Sequence, residues 1–319
     1  MSAPPAGRRK VLITDHAWPD VTVEADLCAA AGLQLVEAPA GAGEPELAEL
    51  AADVDGILTC WATVTERVIA ASPTLRVVTR MGVGLDNIDL AAASARHIAV
   101  TRVPDYCVDE VSDHVAALVL AWARCIVAAD RDVHAGRFQP GSYAPRRVRD
   151  LVTGVWGLGL TGQHTAAKLA ALGCEVLADD RHPDRAPAGV RPVPPADLLA
   201  RCDVLSLHLP LTGSTRGLIG GAELRAMKPG ALLVNTSRGG LIDVPALVAG
   251  LDAGSPGCAA LDVFAAEPDV PAELRARTDV ILTPHIAFAS GASVLQLRRS
   301  ATEDLLAVLA GAEPRHRVL

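Results

Sequence analysis

The sequence has few of the features that mark nucleic-acid-binding, membrane or secreted proteins. Its 319 residues carry a formal net charge of −8, so we do not expect the basic surface that nucleic-acid binding requires. No apolar run reaches the roughly 18 residues that a membrane-spanning helix needs, and we expect no membrane partner. A strand-like segment follows the N-terminal residues without the apolar region of a signal peptide, which predicts a cytoplasmic location.

The chain also lacks any clustered arrangement of cysteine. Its seven cysteines are scattered, with no Cys-x-x-Cys pair and no cysteine–histidine group. We therefore expect reduced side chains, no disulfide framework and no metal site. No internal repeat is evident, and the one biased tract is a proline-rich turn at 186–195. Half of the residues are apolar and 21% are charged, which is typical of a folded protein with large buried cores.

Short apolar segments alternate with alanine- and leucine-rich helical stretches, the pattern of doubly wound α/β sheets. There are two series of candidate strands, and the length of the chain agrees with two domains. We expect the last helix, 292–309, to return to the first domain. The first domain is then 1–101 plus 292–319, and the second domain, 102–291, is inserted into it. The candidate strands are 10–14, 33–37, 56–59, 76–79, 97–101, 151–156, 175–178, 204–207, 231–235, 257–261 and 280–282.

Three glycines, Gly157, Gly159 and Gly162, have the GxGxxG spacing of a dinucleotide-binding turn, between a strand and a helix. In that turn the free N–H groups at the start of the helix bind a pyrophosphate. Asp180 follows the next strand at the distance expected for the acid that binds the adenosine ribose. Its carboxylate would repel a 2′-phosphate, so NAD is favoured over NADP, although the adjoining Arg181 weakens that preference. The alternative is a structural turn with surface acids.

Polar side chains follow the strands of the second series, at the strand ends where ligands bind in an open α/β sheet. Among them Arg238, Glu267 and His285 are predicted to converge near the nucleotide site. Reduction of a 2-keto acid needs a cation to hold the carboxylate and polarise the carbonyl group, which arginine supplies. It also needs a proton donor near neutral pH, which is typical of histidine, and a carboxylate that keeps this histidine protonated and oriented.

Together with the glycine turn, five motifs in a fixed order resemble the D-isomer-specific 2-hydroxyacid dehydrogenase family over nearly the whole chain. The motifs are RMGVGLDNIDL (80–90), LHLPLT (207–212), NTSRGGLID (235–243), ALDVFAAEP (260–268) and TPHIA (283–287). The resemblance implies a Rossmann NAD-binding domain inserted into a discontinuous, flavodoxin-like substrate-binding domain. It also implies hydride transfer between NAD and the C2 carbon of a small 2-hydroxy or 2-keto acid. The segments 103–114 and 285–290 resemble the C-terminal-binding-protein-like branch.

The same resemblance implies a role for each motif residue. Arg238 would bind the substrate, His285 would act as acid and base, and Glu267 would be its partner. Backbone N–H groups near Val83 and Gly84 would bind the substrate carboxylate. Arg80 is a further substrate-binding candidate. The cofactor-binding candidates are Gly157, Gly159, Leu160, Thr161, Gly162, Asp180, His208, Pro210, Thr212, Thr236, Ser237 and Asp262, with Asp262 at the nicotinamide amide.

Two departures from the family pattern affect these expectations. Leu160 stands where many members have an arginine, so one contact to the pyrophosphate is missing and NAD affinity is expected to be modest. Arg102 stands where a small polar residue is expected. With Arg80, it suggests as an alternative substrate a phosphonate-bearing keto acid such as phosphonopyruvate. A second alternative is an NAD(H)-sensing, corepressor-like binding protein, although the intact set of arginine, glutamate and histidine argues against it.

The remaining expectations concern packing. The long helical stretch 108–136 predicts a homodimer through the NAD-binding domain, by resemblance. His114 lies on this stretch and is interpreted as an interface histidine, whereas His208 is expected to line the cofactor edge. Trp61 and Phe288 are either walls of the substrate pocket or ordinary core residues.

Overall fold

The computed structural model describes residues 9–319, which divide into two compact units. The first unit runs to Tyr106 and resumes over Ser290–Leu319, and the second unit is Cys107–Ala289. The boundaries expected from the sequence, after residues 101 and 291, lie a few residues from these. Residues 1–8, which the sequence assigns to the first domain, lie outside the described residues. Each unit has its own parallel sheet with helices, which confirms the α/β class.

The first unit is built on a five-stranded parallel sheet of order β2-β1-β3-β4-β5. Its strands are β1 (Lys10–Ile13), β2 (Gln34–Glu37), β3 (Gly56–Thr59), β4 (Val77–Arg80) and β5 (Ala99–Arg102). Its helices are α1 (Thr22–Ala30), α2 (Glu44–Leu50), α3 (Glu66–Ala71), α4 (Leu90–Ala95) and the final helix, Gly291–Ala310. The strand order is flavodoxin-like, with the switch in winding direction beside β1 and β3.

The second unit is built on a seven-stranded parallel sheet of order β12-β11-β10-β9-β6-β7-β8. Its strands are β6 (Val152–Trp156), β7 (Glu175–Asp179), β8 (Val190–Pro192), β9 (Val204–Leu207), β10 (Leu232–Asn235), β11 (Cys258–Leu261) and β12 (Val280–Leu282). Its helices are α5 (Val108–Ala123), α6 (Ile126–His134), α7 (Leu160–Ala171), α8 (Pro195–Arg201), α9 (Gly221–Ala226), α10 (Val244–Ala253) and α11 (Ala272–Arg275). The final helix, Gly291–Ala310, is α12. Winding reverses between β6 and β9, the place where such sheets bind nucleotides.

Two details of the second unit differ from the sequence-based expectation. The proline-rich tract expected as a turn contains the short edge strand β8, which pairs in parallel with β7. Proline is tolerated there because an edge strand leaves one row of N–H groups unpaired. The single helical stretch expected over 108–136 is two helices, because Cys125 adopts a left-handed conformation (φ 57°) between α5 and α6. No glycine next to Cys125 signals this change in the sequence.

The break gives α5 and α6 different environments. Helix α5 buries Val115, Leu118 and Val119 against the sheet and α7, whereas α6 has no buried residue. Within residues 9–319, no single helix is long and apolar enough to cross a membrane. The pair formed by α5 and α6, bent by 63°, meets that criterion by length and composition alone.

Helix α12 completes the core of the first unit. It packs on β3, β4, β5 and α1, burying Leu297, Ala301 and Leu305. It also carries Arg298, whose guanidinium donates hydrogen bonds to both carboxylate oxygens of Glu24 on α1, at 2.9 and 2.7 Å. Glu24 is fully buried, so its charge is compensated almost entirely by this one arginine. A helix from the end of the chain is therefore fixed to the first helix by apolar contacts and a buried ion pair.

Candidate active site

The turn between β6 and α7 contains three glycines, and at two of them there is no room for a side chain. A Cβ atom at Gly157 (φ 104°) would overlap the carbonyl oxygen of His208, and one at Gly162 would overlap the carbonyl oxygen of Gly157. Gly159 differs, because a Cβ atom there would meet no atom within 4 Å. The chain's own packing thus explains two of the three glycines. The third faces open space at the start of α7, an arrangement that fits the close approach of a phosphate group.

Asp180 directly follows β7 and is fixed against this turn. Its Oδ2 accepts a hydrogen bond from the backbone N–H of Leu158 at 2.6 Å, and its Oδ1 accepts one from the backbone N–H of His182 at 2.7 Å. Burial raises the pKa of Asp180. The two backbone hydrogen bonds and the nearby charge of Arg185 outweigh burial, so its pKa lies below the usual range. A carboxylate is therefore held at the ribose end of the predicted cofactor site.

The segment after β9 contributes an uncharged, buried histidine beside the predicted cofactor site. His208 is buried, and its Nε2 lies 2.9 Å from Ser206 Oγ. Burial lowers the pKa of His208 to about 4, so the ring is uncharged at neutral pH and is a poor proton donor there. Beyond it, Thr215 Oγ1 donates to the carbonyl of Pro210 and accepts from the N–H of Thr212. These two hydrogen bonds form a turn that contains the predicted cofactor-binding residues Pro210 and Thr212.

The loop after β10 is organised by Asn235, a residue that the sequence did not single out. Its buried amide donates to the carbonyl of Arg238 at 2.9 Å and accepts from the N–H of Ser237 at 3.0 Å. Ser237 Oγ also donates to the carbonyl of Leu207 at 2.6 Å. Thr236 Oγ1 is buried without a hydrogen-bond partner. Because buried hydroxyl groups are normally bonded, an unpartnered one on this loop fits a site for a polar ligand.

His285 and Glu267 form a close pair. Nδ1 of His285 lies 2.6 Å from Oε2 of Glu267, whose Oε1 accepts from the N–H of Phe264 at 2.8 Å. Burial raises the pKa of Glu267. The hydrogen bonds from His285 and Phe264, and the positive charges of His285 and Arg238, outweigh burial and hold its pKa below the usual range. The charge of Arg238 acts on Glu267, and the predicted convergence of Arg238, Glu267 and His285 near the nucleotide site stays a prediction. Phe288 lies edge-on to the His285 ring, at 6.0 Å.

His285 has an unusual backbone, and Asp262 supports it. His285 is left-handed (φ 52°), which is uncommon for a residue other than glycine. Asp262 is fully buried. Its Oδ1 accepts from Thr283 Oγ1 at 2.6 Å and from the N–H of Ile286 at 3.0 Å, and its Oδ2 accepts from the N–H of Ala287 at 3.0 Å. Asp262 therefore braces the loop that carries His285. Its predicted contact with the nicotinamide amide stays a prediction.

These features agree with the comparisons to known proteins. Residues 116–287 match the model for the NAD binding domain of the D-isomer specific 2-hydroxyacid dehydrogenases. This stretch covers more than half of the chain. The chain belongs to the D-isomer-specific 2-hydroxyacid dehydrogenase family. Its second unit is accordingly a nicotinamide-dinucleotide-binding domain, and the open glycine turn, Asp180 and Thr236 suit that group.

Similar proteins cover the chain to different extents. It is 39% identical over 252 residues to a D-3-phosphoglycerate dehydrogenase of Mycobacterium leprae, covering 78% of this chain and 48% of that protein. It is 37% identical to a glyoxylate reductase of Aeropyrum pernix, covering 78% of each. A crystal structure from Thermus thermophilus superposes with a TM-score of 0.90, at 33% identity, covering 97% of this chain and 100% of that one. The chain spans about half the length of the D-3-phosphoglycerate dehydrogenases it matches. The resemblance to the C-terminal-binding-protein-like branch stays a prediction.

In the first unit of this dehydrogenase-family chain, the predicted carboxylate loop follows β4. Arg80 is only 7% exposed, and its guanidinium lies directly against Gly82 and donates to the carbonyl of Met81. Arg102 is half-buried and donates to the carbonyl of Val83 at 3.3 Å. Both arginines thus support the loop that contains Val83 and Gly84. The predicted contact of Arg80 with a substrate stays a prediction.

A second loop of the first unit is held by Asp15, another residue that the sequence did not single out. Its carboxylate accepts hydrogen bonds from three successive backbone N–H groups, those of Cys60, Trp61 and Ala62, at 2.7–3.1 Å. Trp61 is 41% exposed on this loop, so it is not an ordinary core residue. An acid directly after the first strand was the available signal, but its partners lie 45 to 47 residues away.

Potential metal ligands are dispersed in the part of the chain that the structure describes. Residues 9–319 contain no group of three or more histidine, cysteine, aspartate or glutamate side chains that could hold a metal ion. The cysteines at 28, 60, 107, 125, 174, 202 and 258 are all free thiols. Burial raises the pKa of Cys28 to about 11 and that of Cys202 to about 12. These two thiols are therefore protonated at neutral pH and serve as packing groups.

Proposed function

We propose that this chain is an NAD-dependent D-2-hydroxyacid dehydrogenase or 2-keto acid reductase, with His285 as acid and base. The contact between His285 Nδ1 and Glu267 Oε2 carries the proposal. The carboxylate of Glu267, whose pKa is lowered, is bonded to one ring nitrogen of His285 and fixes the orientation of the ring. With Nδ1 committed to Glu267, we assign proton exchange with the substrate oxygen to Nε2.

Each of the other groups has a defined part in the proposed reaction. A bound nicotinamide dinucleotide would supply or accept the hydride. Arg238 binds the substrate carboxylate and polarises the C2 carbonyl group, since a guanidinium presents parallel donors in a rigid fork. In the reductive direction His285 donates a proton to the oxygen at C2, and in the oxidative direction it accepts that proton. The binding of a substrate carboxylate by backbone N–H groups near Val83 and Gly84, in the first unit, stays a prediction.

The proposed cofactor site uses the second unit alone. The turn from Gly157 to Gly162, including Leu160 and Thr161, receives the pyrophosphate, and Asp180 receives the ribose hydroxyls. The segment from His208 to Thr212 lines the cofactor, with Thr236, Ser237 and Asp262 on the neighbouring loops. We propose NAD rather than NADP because Asp180 carries a charge that repels a 2′-phosphate. Leu160 is 51% exposed and offers no charge to the pyrophosphate.

The substrate is proposed to be a small 2-keto acid, and one assay tests this. NADH oxidation is followed with glyoxylate, hydroxypyruvate, 3-phosphohydroxypyruvate and phosphonopyruvate, for the wild type and for His285→Ala. The variant is expected to lose about 10²- to 10⁴-fold in kcat, the usual contribution of a positioned acid and base. Arg238→Ala is expected to lose transition-state binding equivalent to about 1.5–3 kcal/mol. Full turnover by both variants would contradict the assigned roles.

The phosphonate alternative rests on the two arginines beside the predicted carboxylate loop, Arg80 and Arg102. It predicts that phosphonopyruvate is the best substrate of the panel and that Arg102→Ala selectively lowers kcat/KM for it. The corepressor-like alternative predicts NADH binding without turnover of any keto acid. The same assay therefore separates the three functions. A cytoplasmic location, expected from the sequence, stays a prediction.

We also propose that the chain is a homodimer through α6 and the segment after it. Ile126, Val127 and Val133 on α6 and Phe138 beyond it expose between 39% and 80% of their surface. Four exposed apolar residues thus lie within the short segment 126–138, and exposed apolar surface is a feature of protein interfaces. A second copy of this chain is the proposed occupant.

A further inference from the structure

His114 on α5 has no part in the proposed mechanism, yet its ring lies against the loop that carries His285. The Nε2 atom is 3.2 Å from Thr283 Oγ1 and 3.8 Å from Asp262 Oδ1, and the side chain is 20% exposed. All four residues belong to the second unit. The interface role expected for His114 from the sequence does not account for these contacts, which bring together residues 169 positions apart.

The direction of the hydrogen bonds follows from the donors available. Thr283 Oγ1 lies 2.6 Å from Asp262 Oδ1, and an ionised carboxylate accepts hydrogen bonds but donates none. The single hydroxyl hydrogen of Thr283 therefore points to Asp262. It follows that Thr283 Oγ1 accepts from His114, and that Nε2 of His114 carries a proton. The three groups form a directed chain from the histidine to the hydroxyl to the carboxylate.

Asp262, the last group of this hydrogen-bonded series, is bonded in turn to the backbone at and after His285. Asp262 side-chain oxygens accept from the N–H groups of Ile286 and Ala287, and the Asp262 carbonyl accepts from the N–H of His285 at 2.8 Å. The left-handed conformation of His285 (φ 52°) is unfavourable for a side-chain-bearing residue, so the surrounding bonds must maintain it. A change in the position of Asp262 or Thr283 would therefore move the His285 ring relative to Glu267.

We propose that His114 is a positioning residue. Through Thr283 and Asp262, it holds the His285 ring in place against Glu267. The proposal rests on the function assigned above to His285. Helix α5 thus packs on α7 and also fixes His285, although it lies outside the loop that carries that residue. His114 acts through hydrogen-bond geometry, and no proton transfer to the substrate is assigned to it.

The test compares variants that remove or keep one hydrogen bond. His114→Leu removes the donor, and His114→Gln keeps an N–H donor of similar reach. Thr283→Val removes the hydroxyl group, and Thr283→Ser keeps it. His134→Leu, at an exposed histidine on α6, is the matched control. For each variant we would measure kcat, KM, the NADH dissociation constant, thermal stability and the ring ¹⁵N signals of His285.

We expect His114→Leu and Thr283→Val each to lower kcat about 10-fold, with KM and NADH affinity within about 2-fold, because only catalytic geometry is altered. His114→Gln, Thr283→Ser and His134→Leu are expected to stay within about 3-fold of the wild type. The kcat of the double variant His114→Leu/Thr283→Val should be no lower than that of the slower single variant, because both changes interrupt the same series of hydrogen bonds.

Three results would overturn the proposal: unchanged kcat in His114→Leu, a parallel loss of kcat, KM and stability that glutamine does not rescue, or fully additive effects. If His114→Leu does not fold, the two Thr283 variants decide the question alone. If the wild type reduces none of the keto acids, the proposed function fails, but the His285 ring signals still test the positioning role. They should shift in His114→Leu and return in His114→Gln, and their invariance would refute it.

Discussion

At the scale of single residues, the second unit contains two histidines in opposite electrostatic environments. His285 contacts a carboxylate, whereas His208 is buried beside a serine hydroxyl and its pKa is lowered to about 4. Burial without a counter-charge disfavours the protonated form of a histidine, as at His208. The same side chain can therefore form a neutral wall at one strand end and an acid–base group at another.

The first residue-scale prediction concerns pH and His208. Its folded pKa of about 4 lies below the unfolded value of 6.5, so between these values the unfolded chain binds the extra proton. Stability should thus fall as pH falls from 6.5 towards 4. Between pH 7 and pH 5 the expected loss is about 2 kcal/mol from this one group. Urea unfolding at the two pH values measures it. His208→Gln, which keeps a polar group near Ser206 but cannot titrate, should show a smaller pH dependence, and an equal dependence would contradict the account.

The second residue-scale prediction concerns cofactor choice. Asp180→Asn removes the charge that repels a 2′-phosphate while preserving an oxygen for the N–H of Leu158. NADH affinity should decrease and NADPH affinity should increase, changing the preference between them about 10-fold or more, equivalent to the loss of one charged contact. Dissociation constants for both coenzymes measure the change. Asp179→Asn, at the neighbouring carboxyl group, is the control, and an equal effect there would argue against the role of Asp180.

At the scale of elements, the helix pair α1 and α12 depends on one buried ion pair. Arg298→Met should lower the free energy of unfolding by about 3–5 kcal/mol, because Glu24 would remain as a buried charge without its partner. The double variant Glu24→Leu/Arg298→Met should recover much of that loss. Denaturant unfolding of the three proteins measures both effects. A single variant as stable as the wild type would show that solvent or another cation compensates Glu24.

The strands and the glycine turn could be predicted from the sequence, because each is encoded by neighbouring residues. An apolar run bounded by polar residues marks a buried parallel strand, and the glycine spacing repeats a local geometry. Arg238, Glu267 and His285 are predicted in the same way, as polar residues that follow strands. The supporting hydrogen bonds of Asn235, Asp262 and Asp15 could not be predicted, since each depends on partners brought together only by tertiary packing. The break at Cys125 lacks any glycine or proline signal.

At the scale of the whole molecule, the exposed apolar residues of α6 predict an assembly. Val133→Asp combined with Phe138→Asp should shift the chain from dimer to monomer in sedimentation experiments, because charges would be buried at the apolar interface. The substitutions lie at residues that are 56% and 80% exposed, so the fold of each copy should be retained. Circular dichroism checks this. Leu295→Asp, at an exposed position on α12, is the control. A wild type that sediments as a monomer would refute the proposed interface.

The interrupted first unit has a consequence for synthesis on the ribosome. Residues 107–289 contain every strand of the second unit, so that unit can fold as soon as it has emerged. The first unit cannot, because Leu297, Leu305 and Arg298 are translated after residues 107–289, and Glu24 lacks its arginine partner until Arg298 has been made. The N-terminal part of the first unit, up to Tyr106, is therefore made first but stays incompletely folded until the second unit has folded. Nascent chains held on the ribosome with residues 107–289 outside the exit tunnel and residues 290–319 still inside it should therefore be cleaved by protease within residues 9–106 and protected within residues 107–289.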